Sequence, residues 1–140
     1  MFTGDTKIIT EEEVVRLDTI AGQTVNLLTL DKIYRPAECK AYTKRKIFEV
    51  KFSSGQRFKC TANHNWLIYV DGEYEFVSTK DLQQKDKVPY VCGRIKKHQQ
   101  YTYIESVTDL GRTEKVYCTQ EPETHTMVLA GGILTGQCVE

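Results

Sequence analysis

The feature that most limits the fold of this chain is a series of short segments in which apolar and polar residues alternate. In "KIFEVKFSS", Phe48, Val50 and Phe52 fall on one face, because strand side chains alternate with a period of two. Turn residues separate this segment from the next one. Many short strands divided by turns are typical of an all-β fold, and the sequence therefore predicts one.

Two hairpins are predicted from the residues between strands. Gly55 separates "KIFEVKFSS" from "QRFKCTA", and Asp71-Gly72 lies within "WLIYVDGEYEFV", where both residues tolerate positive φ. The segments "VNLLTLDKIY", "QQYTYIESV" and "EKVYCTQ" are predicted as further strands. The last strands are predicted in "HTMVLAGGILTG", which is interrupted by Gly131 and Gly132.

Helix is predicted in two short segments only. In "TEEEVVRL", Thr10 is a candidate N-cap and Glu13 follows three residues later, which is the pattern of a capping box. In "STKDLQQ", a single turn is predicted after Ser78. The sequence shows no linker, repeat or low-complexity segment, so we expect one domain from end to end.

Composition excludes several classes of protein. The 140 residues suit one domain with a real core. Lys plus Arg and Asp plus Glu both number 19, and this balance argues against nucleic acid as the main partner. No apolar run approaches the roughly 20 residues of a membrane helix, and the N-terminus does not have the pattern of a signal peptide. We therefore expect no membrane association.

The cysteines do not form a metal-binding or disulfide pattern. Their number is odd and no CxxC pair occurs, so the sequence does not predict a disulfide framework. Cys60 and His64 could supply two ligands, but structural zinc needs four in paired spacings, and we expect no metal. Three of the cysteines, Cys39, Cys60 and Cys92, are interpreted as small buried apolar residues.

The segment Gly136-Gln137-Cys138 joins a side-chain amide to a following thiol. The amide nitrogen of Gln can attack its own backbone carbonyl, close a glutarimide ring and release the residue that follows. The Cys138 thiolate can accept an acyl group, since it is a strong nucleophile. A Gln-Cys pair alone has no meaning, so its function depends on the rest of the chain.

Four segments together resemble the conserved blocks of inteins, the self-splicing protein elements. These segments are "MFTGDTKI", "GQRFKCTANHNW", "EKVYCTQEPETHTMVLAGG" and "ILTGQC", and they occur in the order of the family. The resemblance implies a horseshoe-shaped, pseudo-twofold all-β Hint fold, in agreement with the strand pattern. It also implies an intein over residues 1–137, a mini-intein without homing endonuclease, followed by a C-extein that begins with residues 138–140.

Three positions depart from the usual intein pattern. Met1 replaces the first Cys or Ser nucleophile, Gln137 replaces the terminal Asn, and Gly136 replaces the penultimate His. Either a standard intein has been disabled at position 1, or the chain is similar to class 3 inteins, which use no nucleophile there. That class is marked by a Trp, a Cys and a Thr at fixed positions, and Trp66, Cys118 and Thr135 stand at these positions. The sequence favours the second interpretation.

The resemblance implies a reaction without cofactor, in which the partners are the chain's own flanking exteins in cis. Cys118 attacks the carbonyl upstream of residue 1, Cys138 takes the acyl group, and Gln137 cyclises. The element is thus a single-turnover autocatalyst rather than an ordinary enzyme. We expect a monomer that follows its host protein inside the cell, in the cytoplasm.

The resemblance also implies roles for the residues around the two junctions. Thr61 and His64 serve the upstream peptide bond, and Trp66 helps to build the pocket of Cys118. His125 acts on the carbonyl or amide of Gln137. Met1, Asp5 and Thr6 lie at the N-terminal junction, where the last two supply turn hydrogen bonds. His98, in the polar "RIKKHQQ", is interpreted as a solvated loop residue.

Other functions remain open from the sequence. A class 1 intein disabled at Met1 would cleave only at its C-terminal junction. A hedgehog-type or bacterial intein-like domain would cleave or transfer without ligation, and a catalytically dead β-domain would serve as a binding module. Hedgehog-type domains have Cys at position 1 and no Gln-Cys junction, so the sequence fits them less well.

Overall fold

The structure is a computed structural model and describes residues 1–91 and 101–137. Strands account for nearly all of its regular secondary structure. They are β1 Phe2–Thr3, β2 Lys7–Ile9, β3 Val14–Arg16, β4 Thr24–Leu28, β5 Tyr34–Phe52, β6 Arg57–Cys60, β7 Asn65–Val70, β8 Glu73–Ser78, β9 Lys87–Pro89, β10 Tyr101–Gln120, β11 Thr126–Val128 and β12 Leu134–Gly136. Two single-turn 3-10 helices cover Leu17–Thr19 and Thr79–Asp81. The all-β prediction is confirmed.

Two long strands organise the main sheet. β5 and β10 pair antiparallel along most of their length, from Ile104 opposite Phe52 to Gln120 opposite Glu38, with register shifts that mark bulges. The sheet has the order β4-β5-β6-β1-β10-β9, and the β5–β10 pairing joins its two sides. Bulges bend and twist a strand, so each of the two long strands can pair with different strands along its length.

The predicted hairpins are confirmed. Gly55 has φ +91° between β5 and β6, while Asp71 and Gly72 have φ +50° and +85° between β7 and β8. β11 and β12 form a third hairpin, which is closed by Gly131 and Gly132 at positive φ. Each turn therefore has the residue type that its backbone conformation favours.

Three local predictions need correction. The segment predicted as a helix at Thr10 turns back and forms β3, although the backbone N–H of Glu13 does donate to Thr10 Oγ1 at 3.2 Å, as in a capping box. The prediction of a single turn after Ser78, in contrast, is confirmed, because a 3-10 helix is present there. "VNLLTLDKIY" is broken at Thr29, whose hydroxyl donates to Asp31 and the carbonyl of Ile33. "QQYTYIESV" and "EKVYCTQ" belong to one strand, β10, from residue 101 onward.

The core is built from aromatic and aliphatic side chains beneath the main sheet. Phe2, Phe52 and Trp66 are fully buried and pack edge-to-face, with ring centroids 5.5 Å apart for each pair that includes Trp66. Cys39 and Cys60 are buried in the same cluster, as predicted, whereas Cys92 lies outside the described residues. In the part of the chain that the structure describes, no helix is long and apolar enough to cross a membrane.

Candidate active site

The first residue of the chain lies inside the fold, between two strands. Phe2 pairs with Cys60 of β6 on one side and with Tyr117 of β10 on the other. Since Thr3 pairs with Val116, the antiparallel register places position 1 opposite Cys118. Residues 1 and 118, which are far apart in the sequence, are thus brought next to each other by the pairing of β1 with β10.

The side chain and carbonyl of Met1 are fixed by this position. Met1 is only 4% exposed and packs with Ile47, Val116 and Cys118 in a small cluster of its own. Its carbonyl oxygen accepts a hydrogen bond from the backbone N–H of Thr61 at 2.9 Å. The Cys118 sulfur lies 3.3 Å from the carbonyl oxygen of Thr119. This sulfur is disulfide-bonded, so thiol chemistry at Cys118 requires the reduced protein.

The nitrogen of residue 1 contacts two residues of the segment "GQRFKCTANHNW", Thr61 and His64. It donates to Thr61 Oγ1 at 3.2 Å and lies 3.1 Å from His64 Nδ1. An ammonium group can only donate, so His64 Nδ1 must accept and carries no proton. Its Nε2 then carries the proton and donates to Thr135 Oγ1 at 2.8 Å. The hydrogen bonds therefore define one neutral tautomer of His64.

Burial keeps this imidazole neutral. His64 is 1% exposed and its ring lies against Phe2 and Trp66, at centroid distances of 4.2 Å and 5.0 Å. Burial lowers the pKa of His64 well below its ordinary value of 6.5, and the charge of the neighbouring amino terminus lowers it further. The indole N–H of Trp66 donates to Thr79 Oγ1 at 3.0 Å, which holds the indole behind His64.

The neutral state of His64 predicts how stability depends on pH. The unfolded chain binds a proton at His64 as the pH falls below 6.5, whereas the folded chain does not. The free energy of unfolding should therefore decrease on acidification from about pH 7.5 to 5.5, by up to about 1.4 kcal/mol per pH unit. Urea denaturation across this range measures the slope, and His64→Gln should reduce it. Equal slopes in the two proteins would contradict the assignment.

Gln137 is held at the other end of the chain by a second group of residues. It is 4% exposed, although polar. Its Oε1 accepts from the backbone N–H of Glu121 at 2.8 Å, and its Nε2 donates to Thr119 Oγ1 at 2.7 Å. The hydroxyl of Thr119 in turn donates to Met127 Sδ at 3.0 Å. Both atoms of the Gln137 amide thus have a partner in the protein.

The buried carboxylate of Glu121 organises the turn beside Gln137. It accepts from the backbone N–H groups of Glu123 and Thr124, and from the Thr124 hydroxyl, each at 2.7 Å. Burial by itself would raise the pKa of Glu121, but these hydrogen bonds with Thr124 and Glu123 more than offset it and lower the pKa. Glu121 is therefore an ionised residue that fixes the chain between β10 and β11.

The glycine before Gln137 is required by its neighbours. A Cβ at Gly136 would lie 2.6 Å from the carbonyl oxygen of Asn65 and 2.7 Å from the ring of Phe76. Both distances are well inside van der Waals contact, and the Asn65 oxygen belongs to the backbone of β7. A histidine, which inteins usually have here, would meet the same obstruction.

We expect Gly136→Ala to destabilise the fold by about 1–3 kcal/mol, because β12 must shift away from β7. Thermal unfolding should show a melting temperature lower by several degrees. Phe76→Ala in the same chain should recover part of the loss but not all of it, since the Asn65 oxygen remains. An unchanged melting temperature for Gly136→Ala would show that β12 can move freely.

The structure brings together most of the site residues that the sequence predicts. Thr61, His64 and Thr135 share one hydrogen-bond chain with residue 1, and Cys118 lies on its opposite side. Trp66 lies in the main core cluster behind His64, whereas Cys118 belongs to the cluster of Met1. The predicted role of Trp66 in the Cys118 pocket stays a prediction.

The remaining predicted residues have less defined surroundings. Asp5 accepts from Thr3 Oγ1 at 2.6 Å, and the backbone N–H of Thr6 donates to the carbonyl of Thr3 at 3.1 Å, as expected of a turn. His125 is exposed on the turn between β10 and β11, with φ +56°. Its role at Gln137 stays a prediction. Two further residues, Cys138 and His98, lie outside the described residues.

Sequence reasoning missed Thr119, Glu121 and Thr79. Nothing in "CTQEPET" separates Glu121 from the other acidic residue there, because its burial results from the bend after β10. Thr119 and Thr79 look like ordinary strand or turn threonines. Among residues 1–91 and 101–137, no group of three or more His, Cys, Asp and Glu side chains is arranged to hold a metal ion.

No known family profile matches the sequence, and no curated protein matches it. The fold, however, is similar to solved intein structures. A mutant of a Ssp DnaB mini-intein variant has a TM-score of 0.81 at 18% identity, with 99% of this chain and 98% of that chain covered. A DnaB intein from Synechocystis sp. PCC 6803 gives 0.78 at 17% identity, with coverage of 99% and 98%.

A third similar structure is a variant of the gp41-1 intein. It has a TM-score of 0.75 at 16% identity, with 96% of this chain and 97% of that chain covered. In that variant a cysteine is replaced by alanine, a phenylalanine by tryptophan and an aspartate by cysteine. At these identities the likeness establishes the fold, which spans the whole chain. The chain therefore has the horseshoe-shaped, pseudo-twofold Hint fold of the mini-inteins.

Proposed function

We propose that the chain is a self-splicing element that excises itself from a host precursor and joins the flanking segments. The observation that carries this proposal is the position of residue 1. Its nitrogen contacts Thr61 and His64, while Cys118 lies across the adjacent strand pairing. An imidazole and a hydroxyl thus contact the nitrogen of the bond that upstream cleavage must break, and the Cys118 side chain lies on the neighbouring strand.

The first step is attack of the Cys118 thiolate on the carbonyl that precedes residue 1. In a precursor, the nitrogen of residue 1 is an amide, and its N–H donates a hydrogen bond to His64 Nδ1 in the resting state. As the carbon–nitrogen bond breaks, this nitrogen must gain a proton. The Cys118 thiol releases one when it becomes the thiolate, and His64 Nδ1, which carries no proton in the resting state, takes up this proton and passes it to the departing nitrogen. The Thr61 hydroxyl lies at the same nitrogen and helps to orient the bond.

The absence of a nucleophile at position 1 favours a class 3 pathway. Met1 is a thioether and cannot perform an acyl shift, so the branched thioester must form at Cys118 directly. The gp41-1 variant described above combines the loss of a cysteine with an introduced tryptophan and cysteine. In this chain too, position 1 is not a cysteine, and Trp66 and Cys118 supply a tryptophan and a cysteine.

The later steps transfer the acyl group and release the element. Cys138 takes the acyl group from Cys118 by transthioesterification, and Gln137 then cyclises and breaks its bond to Cys138. An S-to-N shift leaves an ordinary peptide bond between the host segments. In this proposal residues 1–137 are the excised element, residues 138–140 begin the downstream host segment, and no cofactor is needed.

The proposal is tested with a precursor that has one host domain before residue 1 and another after residue 140. Incubation under reducing conditions should produce the ligated host domains and the free 1–137 element, identified by intact mass. Separate host domains without ligation would indicate a cleavage-only domain. A precursor that stays intact and folded would overturn the proposal in favour of a binding module.

A further inference from the structure

We propose that Thr119 and the backbone N–H of Glu121 hold and activate the side-chain amide of Gln137 for cyclisation. This inference rests on the proposed function, because cyclisation of Gln137 is its releasing step. It assigns a positioning role to residues for which the sequence predicts none, although they lie within the segment "EKVYCTQEPETHTMVLAGG". The amide cradle, defined here as Thr119, Glu121 and Met127, lies within the described structure.

The orientation of the Gln137 amide follows from its partners. The backbone N–H of Glu121 can only donate, so the atom that faces it at 2.8 Å must be the oxygen, Oε1. Nε2 then faces Thr119 Oγ1 at 2.7 Å, and this oxygen accepts because its own proton points to Met127 Sδ. The cradle therefore admits one orientation of the amide.

This orientation suits the chemistry of ring closure. An amide nitrogen is a poor nucleophile because its lone pair is delocalised into the carbonyl. A donor on the oxygen and an acceptor on the N–H both favour the imidate-like form, in which the nitrogen lone pair is available. Nε2 then bonds to the backbone carbonyl carbon of Gln137, and the bond to the nitrogen of residue 138 breaks. One proton leaves Nε2 and one is gained by the departing amine.

The cradle is rigid on both sides. Thr119 is fully buried on β10, next to Cys118. The N–H of Glu121 is aimed by the turn that the Glu121 carboxylate organises through Glu123 and Thr124. Hydrogen-bond partners that are fixed before the reaction need no reorganisation when it occurs, and this is how preorganised groups accelerate a step.

The cradle is also matched to the length of glutamine. An asparagine side chain is shorter by one carbon–carbon bond, about 1.5 Å. From the same backbone position it would move the amide out of reach of Thr119 and Glu121, whose distances already lie near the hydrogen-bond optimum. The structure thus offers a reason why Gln serves here although its ring closure orders a longer chain.

The test compares Thr119→Val, which keeps the shape but loses the acceptor, with Thr119→Ser, which keeps the hydroxyl. The full precursor is used under reducing conditions, and the rate of cleavage after Gln137 is followed by mass. We expect Thr119→Val to slow this step about tenfold, and Thr119→Ser to stay within about threefold of the parent. Thr102→Val is the matched control, since Thr102 is also buried and contacts Ser53 away from the site.

A second comparison separates positioning from general stability. In a Gln137→Asn background the amide no longer reaches Thr119, so Thr119→Val should change the cleavage rate by less than about twofold. If Thr119→Val reduced the cleavage rate equally with Gln and with Asn at position 137, the inference would be overturned. It would also be overturned by a Thr119→Val protein that cleaves as fast as the parent or faster. Melting temperatures of the variants show whether each remains folded.

The outcome also distinguishes this inference from the splicing proposal. A parent that cleaves after Gln137 with the expected Thr119 dependence, but forms no branched thioester or ligated product, contradicts splicing and supports the cradle. A parent that splices normally with a Thr119→Val variant that splices at the same rate contradicts the cradle alone.

Discussion

Replacing Cys118 by alanine should abolish upstream cleavage and ligation, with a loss of at least about a thousandfold. Position 1 holds a thioether, which cannot form the acyl intermediate in place of Cys118. The branched thioester should disappear from the mass spectrum of the reduced precursor. Cleavage after Gln137 should persist, because the amide cradle does not involve the Cys118 sulfur.

Cys39→Ala is the control for this experiment. Cys39 is also buried, but it lies in the main core cluster, where its sulfur is 3.8 Å from the carbonyl oxygen of Leu17. Its replacement removes the same atoms without touching residue 1. If upstream cleavage continued at the parent rate in Cys118→Ala, the nucleophile would have to lie elsewhere and the class 3 pathway would be wrong.

His64→Gln is expected to slow upstream cleavage by about a hundredfold to ten-thousandfold, since the imidazole that passes a proton to the departing nitrogen is lost. Formation of the branched thioester, quantified by mass against time in the reduced precursor, measures the effect. Thr135→Val should have a smaller effect, of about tenfold, because it removes only the group that fixes the His64 tautomer. Thr102→Val again provides a buried control.

The order of these effects is itself a test. If Thr135→Val slowed upstream cleavage more than His64→Gln does, the Thr135 hydroxyl would have a role in the reaction besides holding the imidazole. If neither variant slowed upstream cleavage while both remained folded, the hydrogen-bond chain from residue 1 to Thr135 would have no part in the reaction.

The sequence predicted the parts of this molecule that depend on local patterns. Strand periodicity and the turns at Gly55 and Asp71-Gly72 predicted an all-β chain and its hairpins correctly. The capping-box pattern at Thr10 was misleading, because its hydrogen bond forms equally well in a turn between strands. Local propensity was overridden there by the pairing of β2 with β3.

The site residues also fall into two groups, those that a local sequence pattern predicts and those that only the structure reveals. The spacing of Thr61, His64 and Trp66 could be read from one short segment, and block order connected it with Cys118 and Thr135. Glu121 and Thr119 could not be found, because their importance comes from the close approach of β10 to the last described residue, Gln137. Contacts between distant segments leave no periodicity in a single sequence.

One imidazole ring contacts both residue 1 and strand β12, which precedes Gln137. His64 meets the nitrogen of residue 1 through Nδ1 and the hydroxyl of Thr135 through Nε2. Residue 1 and the last described strand, β12, are therefore neighbours in space. Under the proposed function, a host protein would need only a surface loop with closely spaced stems, and it could complete its own folding around the insertion before its two halves were joined.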